Sequence, residues 1–273
     1  MQDNLSVLFP DNRDRYSTPA EKMQHILLRL LSIFDHICTT HNLEYWIDGG
    51  TLLGAIRHKG FIPWDDDVDV CMSEKNYGKF LELAPHYLGD DLLLLNGEHC
   101  PLMNKGITKI YDLKSSSKQL NTREVGILPS GFFIDIFCME SHSRKIKNTR
   151  KAFKYANIKL KPGDRGIRAL KKRIRLFFNR HIAAQKVISK SRDEQGEYFY
   201  YRCRWFTYFL RRSHVYPIKS VIFESLNLPA PGDAHHYLQD MYGDYMTPPG
   251  MTEREGHFSE YYPEKPDTHF YPG

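Results

Sequence analysis

The sequence predicts an α/β fold, a small mixed sheet flanked by helices, with a basic helical lobe beside it. Short apolar segments typical of strands, such as 43–47 and 131–137, alternate with segments of helical periodicity, such as 19–41. A Gly-Gly pair joins one predicted strand to a helix, and aspartates alternate with valines in the next strand. From residue 141 the chain becomes basic, aromatic and helical in its spacing.

Composition limits the class of protein. The 273 residues, 41% of them hydrophobic, can bury one full core, and no apolar run approaches the roughly 18 residues that cross a bilayer. The polar start of the chain, 1–17, does not resemble a secretory signal, so we expect a cytoplasmic location. The five cysteines are scattered without a C-x-x-C pair, which predicts neither a disulfide framework nor a zinc site.

Charge is distributed unevenly along the chain. The segment 144–192 carries 18 Lys and Arg and one acid, whereas the rest has 20 basic and 32 acidic residues. A basic amphipathic helix over 167–188 could bind an anionic membrane at the inner face of the plasma membrane, or an anionic glycan. The alternative is a packed helix with a solvated cationic face. No recognised nucleic-acid module is visible, so nucleic acid is not an expected partner.

Capping signals place three helices. Thr18, Pro19 and Glu21 form a capping box that predicts a helix over 19–41. Ser73 caps a predicted helix over 74–84, and Asp233 caps one that ends at Gly243. Apolar runs at 92–95 and 107–111 predict further strands.

The turn between the strand 43–47 and a helix over 51–57 contains Gly49 and Gly50, followed by Thr51. Unpaired N–H groups at such a helix start form a concave cradle that attracts phosphate. A Gly-Gly pair alone indicates only a turn, but here an Asp-x-Asp follows it closely. Gly49, Gly50 and Thr51 are therefore candidate phosphate-binding residues.

Acidic residues cluster just after Trp64. A strand over 66–72 would place Asp65, Asp67 and Asp69 on one face and turn Asp66 away. Like charges on one strand face destabilise a sheet, and a hard cation such as Mg²⁺, or Mn²⁺, would relieve the repulsion. The alternative is a solvated acidic loop, against which the interleaved valines argue.

A single acid, Asp135, lies inside the bulky apolar segment 131–137. Burying it unpaired would be costly. We predict that it is a further ligand of the same metal and a general base towards an acceptor hydroxyl, and the alternative is a salt-bridged core acid. Arg57, Lys59 and Lys109 are candidate phosphate contacts; for the first two the alternative is a solvated helix end.

These motifs resemble the LicD family, which contains bacterial phosphocholine transferases and is related to fukutin and fukutin-related protein. The resemblance is carried by GGTLLGAIRH at 49–58, PWDDDVD at 63–69, FIDIF at 133–137, and YGDYM at 242–246 with a later His257. It implies a nucleotidyltransferase-type fold and transfer of phosphocholine, or a similar group, from a CDP-activated donor to a hydroxyl of a cell-surface glycan.

Together these expectations describe a Mg²⁺-dependent phosphotransferase. Residues 1–140 would form the catalytic core, 141–216 the basic lobe, and 217–273 the segment that completes the domain. The predicted metal ligands are Asp65, Asp67, Asp69 and Asp135, the last three also being catalytic. Two alternatives stay open: a metal-dependent glycosyltransferase, which also uses Asp-x-Asp, and a non-enzymatic protein that binds membranes or polyanions.

Overall fold

The computed structural model describes residues 5–119, 128–148, 184–203, 209–250 and 258–266. The helices are α1 (Leu5–Leu8), α2 (Pro19–Thr40), α3 (Gly49–His58), α4 (Glu74–Leu83), α5 (Ala184–Ser191), α6 (Arg212–Val215) and α7 (Ala234–Tyr242). The strands are β1 (Tyr45–Ile47), β2 (Asp69–Ser73), β3 (Leu92–Asn96), β4 (Ile107–Asp112), β5 (Ser116–Gln119), β6 (Phe133–His142), β7 (Tyr198–Tyr201), β8 (Leu210–Arg211), β9 (Lys219–Phe223), β10 (Leu226–Ala230) and β11 (Phe258–Tyr262).

A seven-stranded mixed sheet organises the described residues. Its main order is β1-β2-β6-β4-β3, with β7 beside β6 and β8 beside β7. β2 and β6 run parallel, whereas the other pairs in this sheet are antiparallel. Two smaller antiparallel pairs, β9 with β10 and β5 with β11, complete the strands. The predicted α/β class, a mixed sheet flanked by helices, is confirmed.

Helix α2 shows how local signals and packing act together. Thr18 accepts a hydrogen bond from the Glu21 backbone, and the Glu21 side chain returns one to Thr18, so the predicted capping box is present. The apolar face of α2 is buried in the main core. There the Phe34 ring packs between Tyr45 on β1 and Phe80 on α4, at centroid distances of 4.8 and 5.1 Å.

Two sequence-based expectations were wrong. The strand predicted over 66–72 begins only at Asp69, so the first three acids lie in the loop before it. The helical prediction from 141 onward fails at both ends, because β6 continues to His142 and residues 198–201 form β7. All four residues of β7 are buried, and aromatic side chains fit a pleated surface better than a helix.

A second, smaller core lies where the basic segment leaves the sheet. It consists of Ile146, Ile188, Tyr198, Tyr200 and Phe209. Ile146 lies near the start of the basic segment 144–192, and Ile188, on α5, lies near its end. The two ends of the segment therefore meet in this core. The apolar positions predicted between 167 and 178, and His257, lie outside the described residues. The division of the chain at 141 and 217 stays a prediction.

Helix hydropathy and the cysteines complete the description of the fold. None of the helices in the described part of the chain combines the length and apolar composition that a bilayer span requires. All five cysteines are free, and four of them are buried.

We expect Phe34→Ala to lower the free energy of unfolding by about 3–5 kcal/mol, because it leaves a cavity between α2, β1 and α4. Urea denaturation followed by circular dichroism measures the change. Leu102→Ala, at a residue 44% exposed, is the control and should stay within about 0.5 kcal/mol of the parent. Equal losses in the two variants would contradict this packing.

Candidate active site

The Gly-Gly turn packs directly against two carboxylates. A Cβ atom on Gly49 would lie 2.5 Å from Asp69 Oδ2, and one on Gly50 would lie 2.5 Å from Asp65 Oδ2. Gly49 also has a φ of +52°, a conformation that other residues rarely adopt. Any other residue at Gly49 or Gly50 would therefore have to displace a carboxylate, and at Gly49 it would also strain the backbone.

Four of the predicted acids converge at this turn. Asp69 on β2 and Asp135 on β6 are register partners on adjacent parallel strands. Asp65 and Asp67 come from the loop before β2. The pKa of Asp69 lies well above its usual range because the side chain is desolvated and because Asp67, Asp135, Asp48 and Asp65 repel its charge. The structure thus brings Asp65, Asp67, Asp69 and Asp135 together, although only the last two lie on strands.

Asp66 has a different structural role from Asp65 and Asp67. One carboxylate oxygen from each of Asp65, Asp66 and Asp67 lies within 4.8 Å of the others. Asp66, however, is buried and accepts hydrogen bonds from the Phe258 backbone at 3.0 Å and the Tyr261 hydroxyl at 3.2 Å. Asp66 therefore fastens β11 to the acidic loop while it stays close to Asp65 and Asp67, so the expectation that it turns away from the other acids was wrong.

Lys109 lies beside Asp135. Its Nζ atom is 2.7 Å from Asp135 Oδ1 and donates a hydrogen bond to Oδ2 at 2.9 Å. It also lies 3.4 Å from the centroid of the Phe133 ring. This ion pair is the contact that the alternative of a salt-bridged acid predicted. Asp135 also lies next to Asp69 on the neighbouring strand. Lys109 therefore neutralises one carboxylate of the acidic cluster.

The other predicted contacts are distributed more widely. Thr51 is buried, and its hydroxyl accepts a hydrogen bond from the Asp69 backbone N–H at 2.9 Å, which joins α3 to β2. Arg57 Nη1 donates to the carbonyl of Tyr245 at 2.9 Å. Lys59 is exposed just after α3, and within the described residues its side chain has no ion pair. Neither Arg57 nor Lys59 is seen to contact the acids.

Sequence reasoning missed the importance of Asp48, the residue before the glycine pair. Its carboxylate is buried and accepts hydrogen bonds from the hydroxyls of Tyr237, at 2.7 Å, and Tyr201, and from the Cys71 thiol at 3.1 Å. These donors come from α7, β7 and β2. The signal available in the sequence was an acid at the end of an apolar strand, where burial without partners would be costly.

The acidic cluster and the start of α3 together offer ligands for a cation, donors for a phosphate and an acceptor for a proton. Its carboxylate oxygens are the ligands that hard divalent cations prefer. The backbone at the start of α3 faces these carboxylates and offers N–H donors to a phosphate. A carboxylate such as Asp135, at one side of the cluster, is a group that can accept a proton.

The mixed sheet and the glycine turn facing carboxylates define an α/β domain of nucleotidyltransferase type. Residues 42–162 match the family model described as LicD/FKTN/FKRP, nucleotidyltransferase domain. This part of the chain is therefore a LicD-family domain, and the resemblance seen in the sequence is confirmed. The matched residues include the glycine turn, the acidic loop and Asp135.

Curated proteins extend the comparison. The lipopolysaccharide cholinephosphotransferase LicD of Haemophilus influenzae is 28% identical over 269 residues, covering 88% of this chain and 97% of that protein. The ribitol 5-phosphate transferase FKRP of mouse is 46% identical over 41 residues, which are 15% of this chain and 8% of that protein. An uncharacterized protein of Rickettsia typhi is 35% identical over 88 residues, 30% of this chain and 28% of its own length.

We expect Asp69→Asn to raise the free energy of unfolding in EDTA by roughly 0.5–1 kcal/mol more at pH 8 than at pH 5, because the variant cannot acquire the charge that neighbouring acids repel. The raised pKa of Asp69 means that the parent loses stability as pH rises from the ordinary aspartate range through that pKa. Urea titrations at pH 5 and pH 8 measure both effects. Asp90→Asn, an exposed acid, is the control; a loss of stability in Asp69→Asn would contradict the electrostatic strain.

Proposed function

We propose that this protein transfers phosphocholine, or a similar substituted phosphate group, from a CDP-linked donor to a hydroxyl of a cell-surface glycan. The observation that carries the proposal is the packing of the Asp65 and Asp69 carboxylates against Gly50 and Gly49, with Asp135 alongside. The similarity to a cholinephosphotransferase over most of the chain, and to a ribitol 5-phosphate transferase over 41 residues, supports it.

The residues fit a divalent cation. The donor set consists of carboxylates. Burial and the charges of the neighbouring acids raise the pKa of Asp69, and a cation would offset that repulsion. Asp65, Asp67 and Asp69 would hold Mg²⁺, with Mn²⁺ as a substitute. Asp135, whose two oxygens both contact Lys109, would join them by sharing a carboxylate oxygen between the lysine and the cation. When bound, such an ion supplies positive charge that stabilises a pyrophosphate and its leaving group.

The chain's own groups have distinct parts in the proposed transfer. The N–H groups at the start of α3 bind and orient the donor's phosphates. Asp135 accepts the proton of the attacking glycan hydroxyl, and the ion pair with Lys109 holds the Asp135 carboxylate in position. A bond forms between the glycan oxygen and the phosphorus of the substituent, and the bond from this phosphorus to CMP breaks.

The basic segment 144–192 is proposed to hold the acceptor or the membrane that carries it. Its 18 cations and single acid would bind anionic lipids at the inner face of the plasma membrane or an anionic glycan. Both ends of the segment meet in the small core that contains Ile146 and Ile188. A glycan of the lipopolysaccharide, capsule or teichoic-acid type would be presented there.

Asp67→Asn tests the reaction. We expect about 100-fold lower kcat/KM with CDP-choline, CDP-ribitol or CDP-glycerol as donor under Mg²⁺, because one carboxylate of the cluster loses its charge. Release of CMP measures the rate; a nucleoside diphosphate as product would instead indicate a glycosyltransferase. Asp14→Asn, at an exposed residue, should match the parent. Unchanged turnover in Asp67→Asn would overturn the metal assignment.

Gly50→Ala tests the glycine turn. We expect at least about tenfold weaker Mn²⁺ binding by calorimetry, because the new Cβ would displace the Asp65 carboxylate that lies 2.5 Å away. Gly78→Ala is the matched control, since a Cβ on Gly78 meets no atom within 4 Å. Equal Mn²⁺ affinities in the two variants would argue against a cation at this turn.

A further inference from the structure

Glu224, in the two-residue loop between β9 and β10, contacts the chain segment that leads into the acidic loop. Its carboxylate accepts a hydrogen bond from the Phe61 backbone N–H at 2.9 Å. The same carboxylate lies so close to Gly60 that a Cβ on that glycine would collide with it. The backbone N–H of Glu224 donates to the carbonyl of Lys59 at 2.8 Å. A single residue of the hairpin therefore holds the three residues that follow α3.

The position of this segment determines the position of Asp65. The backbone N–H of Asp65 donates to the carbonyl of Ile62 at 2.9 Å, which closes a turn directly after the segment. On its other side the segment packs against α3, where a Cβ on Gly54 would collide with the Gly60 carbonyl oxygen and lie 3.4 Å from the Ile62 nitrogen. Asp65 leaves this turn with its carboxylate against Gly50.

The backbone of Glu224 has a conformation that is unfavourable for this residue type. Its φ is +53°, a value that glycine adopts readily and other residues adopt at a cost. A glycine would remove this cost, but it would also remove the carboxylate that contacts Gly60 and Phe61. Strained residues persist where the surrounding structure holds them, and they cluster at functional sites. The strain at Glu224 therefore points to a role for its side chain beyond the hairpin turn.

We propose that Glu224 is a positioning residue for the cation site, which acts through the segment 59–62 to hold the Asp65 carboxylate at the glycine turn. This inference rests on the proposed function, because it takes Asp65 to be a ligand of the cation. Glu224 keeps Asp65 in place before an ion binds, so that binding does not have to order the loop. The hydrogen-bond acceptor matters more than its charge, because the group that it holds is a neutral backbone N–H.

Three variants of Glu224, an exposed residue whose replacement leaves no core cavity, test this role. Glu224→Gln keeps an oxygen acceptor, so calorimetry should give a Mn²⁺ dissociation constant within about twofold of the parent's. Glu224→Ala and Glu224→Gly lose the acceptor, and each should bind Mn²⁺ about tenfold more weakly. Glu224→Gly should nevertheless have a higher Tm in EDTA than Glu224→Ala, because glycine relieves the positive φ.

CMP release provides a second measurement. With CDP-choline as donor, Glu224→Ala should need about tenfold more Mn²⁺ for half-maximal turnover, whereas kcat at saturating Mn²⁺ should stay within about twofold of the parent's. The matched control is Asn42→Gly, at an exposed residue that also has a φ of +53°. This variant should keep the parent's affinity for Mn²⁺, because Asn42 follows α2 and does not lead into the acidic loop.

Equal Mn²⁺ affinities in the parent and Glu224→Ala would contradict the positioning role. A loss in Glu224→Gln as large as that in Glu224→Ala would contradict it too, and so would recovery of the parent's affinity in Glu224→Gly. In each of these results the parent still binds Mn²⁺, so the cation site of the proposed function stands. If the parent itself binds no Mn²⁺, that cation site fails, and this inference with it.

Discussion

The contact between carboxylates and a glycine backbone is the constraint on which the rest of this structure depends. Asp65 and Asp69 approach Gly50 and Gly49 so closely that a methyl group on either glycine would collide with a carboxylate oxygen. Such a cluster gains nothing from its own electrostatics, because the charges repel one another. Neighbouring elements must therefore hold it in place.

Several distant segments provide that support. Asp48 anchors the turn through hydroxyls from β7 and α7, and Thr51 joins α3 to the strand that carries Asp69. At the far end of α3, the Glu224 backbone N–H donates to the carbonyl of Lys59, and its carboxylate accepts from the backbone of Phe61. Asp66 fixes the other end of the acidic loop to β11. The loop is thus held at both ends by hydrogen bonds from the C-terminal third of the chain.

This support explains how the family match and the whole-chain similarity fit together. The LicD-family model covers 42–162, which includes the glycine turn, the acidic loop and Asp135. Its partners Tyr237, Glu224 and Phe258 lie beyond that range. The similarity to the Haemophilus influenzae protein, which extends over 88% of the chain, spans far more of the residues that hold the site in place.

Local sequence patterns were sufficient to locate α2 with its capping box, α4, α7 and β4. They also pointed to the glycine turn, Asp69 and Asp135. Caps, periodicity and charge alternation act between residues that are close in sequence, so the sequence alone reveals them. It failed at β7, whose aromatic residues are strand residues only because β6 continues far enough to pair with them. It also failed to find Asp48 as an anchor, and it could not tell whether Asp135 met Lys109, Asp69 or both. Sequence alone thus determined the types of groups that this protein brings to its site. Tertiary structure decided which of them touch, because contacts such as Asp69 with Thr51 and Tyr261 with Asp66 join residues 18 and 195 positions apart and depend on how the strands and helices pack.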